Sequence, residues 1–220
     1  MAIAETGLIQ EAAVLRQVAI AQQRGDQPKK NWSDRPTPEA VVAAMVALEK
    51  GCRKGRGAIA LADLLGEWRL TFVTGTKKTR QRAGKAIGAG RYLPGIPRIT
   101  ITYERETDEQ DGAQGSGLGR AVNRIQLGAL EVTVAGPIEA IANTPILAFD
   151  FTQWSVALGA WEMYRGELGG GVASDATFAE RPLKERPFFN YFWVSETAIA
   201  ARGKGGGLAL WVKTETVLSP

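Results

Sequence analysis

The stretch FFNYFWVSETAIAARGKGGGLALWVK, Phe188 to Lys213, reads as three consecutive strands. Residues 188–194 form an aromatic strand, 198–202 a second and 208–213 a third. The turn Gly203-Lys204-Gly205-Gly206-Gly207 joins the last two. Glycines there permit the positive φ of a tight hairpin turn. Such a hairpin, placed behind other strands, can close a β-barrel.

Those other strands lie upstream. Residues 66–73 put Trp68, Leu70 and Phe72 on one face. Residues 98–104 do the same with Ile99, Ile101 and Tyr103, and 129–135 with Leu130, Val132 and Val134. Period-two segments also cover 147–155 and 159–165,. Together they give about eight strands, with no helix between them to make parallel crossovers. The fold class is therefore α+β, mainly β: an antiparallel barrel preceded by N-terminal helices. Leu8, Ala12, Leu15 and Ala19 share a helical face over 5–24,. Thr37 caps a second helix with Pro38 in its first turn, ending at Gly51, and a short helix spans 59–65,. The chain divides into a helical segment 1–57, a barrel 58–213 and a tail 214–220, with the helices expected to cap the barrel.

Composition removes whole function classes. The 220 residues contain no histidine, which excludes Ser-His-Asp and Cys-His catalysis and histidine-held zinc or haem,. The single cysteine, Cys52, excludes an intramolecular disulfide and reads as a small residue at a helix end,. The N-terminus lacks the pattern of a secretory signal or transit peptide, so a bacterial cytosolic chain, or one relieved of a presequence, is expected,. No apolar run reaches the ~18 residues of a membrane-spanning helix.

Net charge is +4 but unevenly spread. No acid stands between Glu67 and Glu104, an interval that holds Lys77, Lys78, Arg80, Arg82 and Lys85. These five are candidates for contact with a membrane or other anionic surface. No aromatic residue interleaves them before Tyr92, which argues against single-stranded nucleic acid,. The acidic run Glu104 to Asp111 leads into Gly115-Ser116-Gly117-Leu118-Gly119, read as a flexible loop because no strand precedes it to make a dinucleotide site,. A third long connection covers 168–187. Arg165 shares strand parity with Trp161 and Met163 and is a candidate polar anchor in an apolar cavity,. Asp150 sits between Phe149 and Phe151 and faces away from both.

Gly66-Glu67-Trp68 opens the first strand. Lipocalins begin their barrels with Gly-x-Trp, and an arginine from a late strand packs over that tryptophan by a cation–π contact. Arg202, followed by Gly203, is the late-strand candidate here. Leu64, Gly66, Trp68 and Leu70 also match the Leu-x-Gly-x-Trp-x-Leu that opens the domain of the plastid-lipid-associated proteins, or fibrillins. That domain ends with a strand pair written roughly YLDEDLRISRGDKGNLFVL, to which WVSETAIAARGKGGGLALW is similar without a gap. The chain resembles a divergent, cyanobacterial-type member of this family over residues 64–213. Ser195 stands where the family commonly has aspartate and Ile199 where it has arginine, so contacts made by those residues do not carry over.

The resemblance implies a lipocalin-like barrel at thylakoids or lipid globules, in a cyanobacterium or a plastid. It implies non-enzymatic binding of a hydrophobic molecule such as a carotenoid, quinone or other lipid. Candidate barrel-lining residues are Phe149, Phe151, Trp161, Met163, Arg165, Tyr191 and Trp193, with Trp68 and Phe72 adding to the aromatic supply; Gly66, Trp68, Arg202 and Gly203 would close the barrel. One alternative is a bilin lyase or chaperone, with a tetrapyrrole held by Arg165 and Asp150. The other is an interaction module with a filled barrel and an acidic, photosynthetic protein partner.

Overall fold

The computed structural model describes residues 9–23, 35–55, 57–75, 90–105 and 117–214. Two helices, α1 (Ile9–Gln23) and α2 (Pro38–Gly55), precede eleven strands. These are β1 (Gly66–Val73), β2 (Arg91–Tyr92), β3 (Arg98–Arg105), β4 (Leu118–Leu127), β5 (Leu130–Ala140), β6 (Ile146–Phe149), β7 (Gln153–Leu158), β8 (Trp161–Glu167), β9 (Phe188–Val194), β10 (Ala198–Gly203) and β11 (Leu208–Lys213). A short helix, α3 (Gly171–Ala176), lies between β8 and β9.

Eight strands close an antiparallel barrel in the order β4-β3-β1-β11-β10-β9-β6-β5, with β5 returning to β4. The fold is thus lipocalin-like and mainly β, as its period-two segments imply. The hairpin of β10 and β11 does close it: Trp211 pairs with both Ile199 of β10 and Leu70 of β1. The strand count agrees with expectation, but its membership differs. The region 118–127, read as the end of a loop and unassigned chain, is the full strand β4. The single strand expected over 147–155 is broken at 150–152 into β6 and β7.

That break matters because β5 has two partners on one edge. Its first half, Leu130 to Ala135, pairs with β7, and its second half, Ile138 to Ala140, pairs with β6. Strands β7 and β8 therefore leave the barrel. Together with the far halves of β4 and β5 they form a four-stranded arm. Along β3, only 100–103 pair with β1, while Arg98 and Ile99 follow β4 into the arm.

Two cores flank the barrel wall. The inner one contains Trp68, Ile101, Tyr103, Ala121, Ile138, Leu147, Tyr191, Ile199 and Trp211. Its floor is the turn Leu61–Asp63 with Ile59 and Leu64, and the Trp68 indole N–H donates to the Leu64 carbonyl at 2.6 Å. The outer core packs Leu15, Val18, Val41, Met45 and Leu48 of α1 and α2 against Phe192, Ala200, Leu210 and Val212. Thr37 caps α2 through the Ala40 amide. The two helices cover the outside of β9, β10 and β11 and do not cap an end of the barrel. Their apolar stripes match the apolar outer faces of those strands, and the floor is already occupied by residues 59–64.

Candidate functional site

At the end opposite the floor, which we call the mouth, aromatic side chains meet. Phe149 stacks on Phe189 with ring centroids 4.8 Å apart and lies 5.4 Å from Phe151. Phe189 makes an edge contact with Trp211 at 5.3 Å. Phe149, Phe151 and Phe189 all keep part of their surface exposed. Below them the interior is occupied. Trp68, Tyr103 and Tyr191 are fully buried, and the Tyr103 and Tyr191 hydroxyls share a hydrogen bond of 2.7 Å. Burial pushes both phenols well above the ordinary tyrosine range,.

The inward face of the barrel continues onto the arm, because side chains alternate strictly along β4 and β5. Three cross-strand rows follow from the register. The outermost is Leu127, Leu130, Leu158 and Trp161. The next is Ile99, Ile125, Val132, Val156 and Tyr164. The third is Asn123, Val134 and Trp154, whose indole lies over Gly166 where a Cβ would collide with it. The reverse face carries Arg124, Glu131, Thr133, Ser155, Glu162 and Arg165. An antiparallel sheet with one apolar face ordinarily packs that face on a core. Here Trp161 is 72% and Tyr164 65% exposed. At ordinary strand and residue spacings the face measures roughly 350 Å² in plan, the size of a patch that on other monomers marks a binding surface.

The polar surroundings are paired. Glu67, on the outer wall, joins Arg98 at 3.1 Å and Arg124 at 3.5 Å, and Arg124 reaches Glu131 at 3.1 Å. Phe178 is buried, with the guanidinium groups of Arg181 and Arg186 over its ring, and these pair with Asp150 and Glu139 respectively. A separate cavity of about 290 Å³ lies outside the barrel, between α2 and β9, lined by Glu49, Cys52, Asn143, Pro145, Asn190 and Phe192. Burial raises the Cys52 thiol pKa.

Tyr191 is in the inner core, and Phe149 and Phe151 are partly buried and pack against it. Trp161, Met163 and Arg165 do not line the barrel, because β8 belongs to the arm. Arg165 is exposed and bound to Glu162 at 2.9 Å, so it is not an anchor inside a cavity. Trp193 and Phe72 lie in the outer core beneath the helices. Irregularities in β1 between Leu70 and Phe72, and in the β9–β10 pairing between Ala200 and Ala201, shift the alternation there.

Gly66 opens β1 with φ 108° and Trp68 seals the floor. The cation over Trp68 is not Arg202. Lys213, which pairs directly with Trp68, places its Nζ 5.0 Å from the ring centroid. Arg202 falls on the outer face of β10, where Nε and Nη2 donate to Glu49 of α2 at 2.8 and 2.6 Å and Nη1 donates to the Gly206 carbonyl. Of the glycines in the closing turn, Gly206 takes positive φ (85°), whereas Gly203 does not. Lys77, Lys78, Arg80, Arg82 and Lys85 lie outside the described residues. The arm tip lies outside the expected site. Its signal was two similar, uncharged turns, Leu-Gly-Ala-Leu at 127–130 and Leu-Gly-Ala-Trp at 158–161.

Fold and site together define a closed, lipocalin-like barrel with an uncovered apolar face running from its mouth. No family model, curated protein or solved structure matches the chain.

Proposed function

We propose that this protein is a non-enzymatic carrier of a hydrophobic small molecule of the carotenoid, quinone or lipid class, as its resemblance to the fibrillins implies. The observation that carries the reading is the continuity of the apolar surface from Phe149, Phe151 and Phe189 at the mouth onto the arm. The lower barrel is occupied by Trp68, Tyr103 and Tyr191, so cargo lies high, against the mouth and the arm. The groups that a bilin lyase would draw on are engaged elsewhere, Asp150 with Arg181 and Arg165 with Glu162.

Mass spectrometry of the organic extract of protein purified from its native source tests the proposal. A stoichiometric apolar compound is expected. A Phe149→Ser, Phe189→Ser double variant should retain roughly one tenth of it or less, given the apolar area removed. An empty extract, with no gain in melting temperature from added carotenoid, quinone or lipid, would sink the reading. The filled lower barrel favours a second reading, an interaction module, which salt-sensitive binding to a soluble protein complex would support.

A further inference from the structure

The arm ends in two hairpin turns lying side by side, Leu127-Gly128-Ala129-Leu130 and Leu158-Gly159-Ala160-Trp161. Hairpin turns in water favour Asn-Gly and Asp-Gly, whose side chains bond locally to the turn backbone. The two central residues of each turn, Gly-Ala, carry no polar side chain. Gly128 and Gly159, at φ 60° and 61°, supply the left-handed conformation alone,. The two turns are also joined through their backbones. The Gly159 N–H donates to the Ala129 carbonyl at 2.7 Å, so one turn satisfies its neighbour. The charges nearest the tip lie on the reverse face and are paired, Arg124 with Glu131 and Arg165 with Glu162.

Bare backbone groups and unpaired charges are what an apolar medium penalises most. This tip limits both, and it presents Leu127, Leu130, Leu158 and Trp161 in one row with Tyr164 in the row behind. Tryptophan and tyrosine set back from a leucine edge suit the boundary between acyl chains and headgroups. The electrostatics agree. Exposed Arg91, Lys184 and Lys204 stand on the rim of the same barrel end, with Glu180 and Glu185 among them, and the chain carries +4 overall. A bilayer containing anionic lipid complements that charge.

We propose that the arm tip inserts into the interface of an anionic lipid bilayer and lays the apolar face of the sheet against acyl chains. The proposal deepens the carrier reading by naming the surface that meets the membrane, but it rests on the tip and requires no cargo. The two ideas therefore fail separately, because vesicle binding is measured on delipidated protein.

Flotation with phosphatidylcholine vesicles, with and without phosphatidylglycerol, is the test. The protein should float with the mixed vesicles, and less at high salt. Leu158→Ser with Trp161→Ser should weaken partitioning roughly a hundredfold, about tenfold for each large apolar side chain withdrawn, at an unchanged melting temperature. An environment-sensitive dye on Ala160→Cys, in a Cys52→Ala background, should shift to the blue on vesicles. The same dye on Glu196→Cys, at the floor end, should not. No flotation of the wild type overturns the proposal, as does equal flotation of the double variant. A concentration-dependent dimer that the same two substitutions abolish, with no vesicle binding, assigns the face to a second copy of the chain and also overturns it.

Discussion

The floor of the barrel and the tip of the arm are built from the same residue types and treat them oppositely. Each presents a tryptophan among leucines on the inward face of the same continuous sheet. Trp68 is fully buried, hydrogen-bonded to Leu64 and covered by Lys213, whereas Trp161 is largely exposed among exposed leucines. The difference is closure. Residues 57–65 cross the floor, and β1 and β11 complete the wall there, while β7 and β8 carry the arm away from the wall. Apolar composition alone therefore does not identify a core; the pairing partner of the strand decides.

The sharpest way to break this contrast is Trp68→Ala. Emptying the floor should cost about 3–5 kcal/mol in chemical denaturation. If it costs less than a tip substitution, the floor is not the stabilising end. Strong base should also separate the regions. Burial pushes Tyr92 up to about 12 and raises Tyr103 and Tyr191 well above the ordinary tyrosine range. The unfolded chain loses these protons near pH ~10 while the folded chain keeps them, so stability is complete below that pH and falls above it. The slope is about 1.4 kcal/mol per pH unit for each of the fully buried Tyr103 and Tyr191, and less for partly exposed Tyr92. Denaturation midpoints between neutral and strongly basic pH read this directly.

Arg202→Ala comes next, since it removes a two-pronged hydrogen-bonding partner of nearly buried Glu49. Arg202 is itself 27% exposed, so solvent screening brings the cost to about 1–3 kcal/mol,. The loss should appear as earlier hydrogen exchange in α2, with the inner core protected. Tyr103→Phe should cost a similar ~1–3 kcal/mol, because the Tyr191 hydroxyl loses its partner, and Tyr191→Phe on top should restore part of it. Smallest of all, Trp161→Ser should change stability by no more than about 0.5 kcal/mol. A large loss there would show that the arm face is packed in solution.

Much of the barrel was legible in local pattern. The alternation in 66–73 and the closing hairpin at 198–213 specify strands whatever they pair with. The rest depended on partners distant in sequence. Strand β4 is hard to read because Arg120, Asn123 and Arg124 interrupt its apolar pattern, and Asn123 falls on the same face as Ala121, Ile125 and Leu127. Asp150-Phe151-Thr152 looked like strand interior, which kept β7 and β8 in the barrel and made Trp161 and Arg165 appear to be lining. The tight turns at Gly128 and Gly159 allow either outcome. Irregular pairing in β1 and β9 sent Phe72 and Trp193 outward. Lys213 was overlooked as the partner of Trp68 because the pairing of β1 with β11 spans nearly the whole barrel sequence.

That last pairing has a consequence for synthesis on the ribosome. Until Leu208–Lys213 has emerged, β1 and β10 each present a bare hydrogen-bonding edge, and the barrel stays an open, curled sheet,. Every earlier barrel strand must wait in that state, next to an apolar arm that is already complete. A stalled or prematurely terminated chain would thus expose both a sticky edge and a sticky face. Newly made chains should lean on chaperones until the final strand arrives.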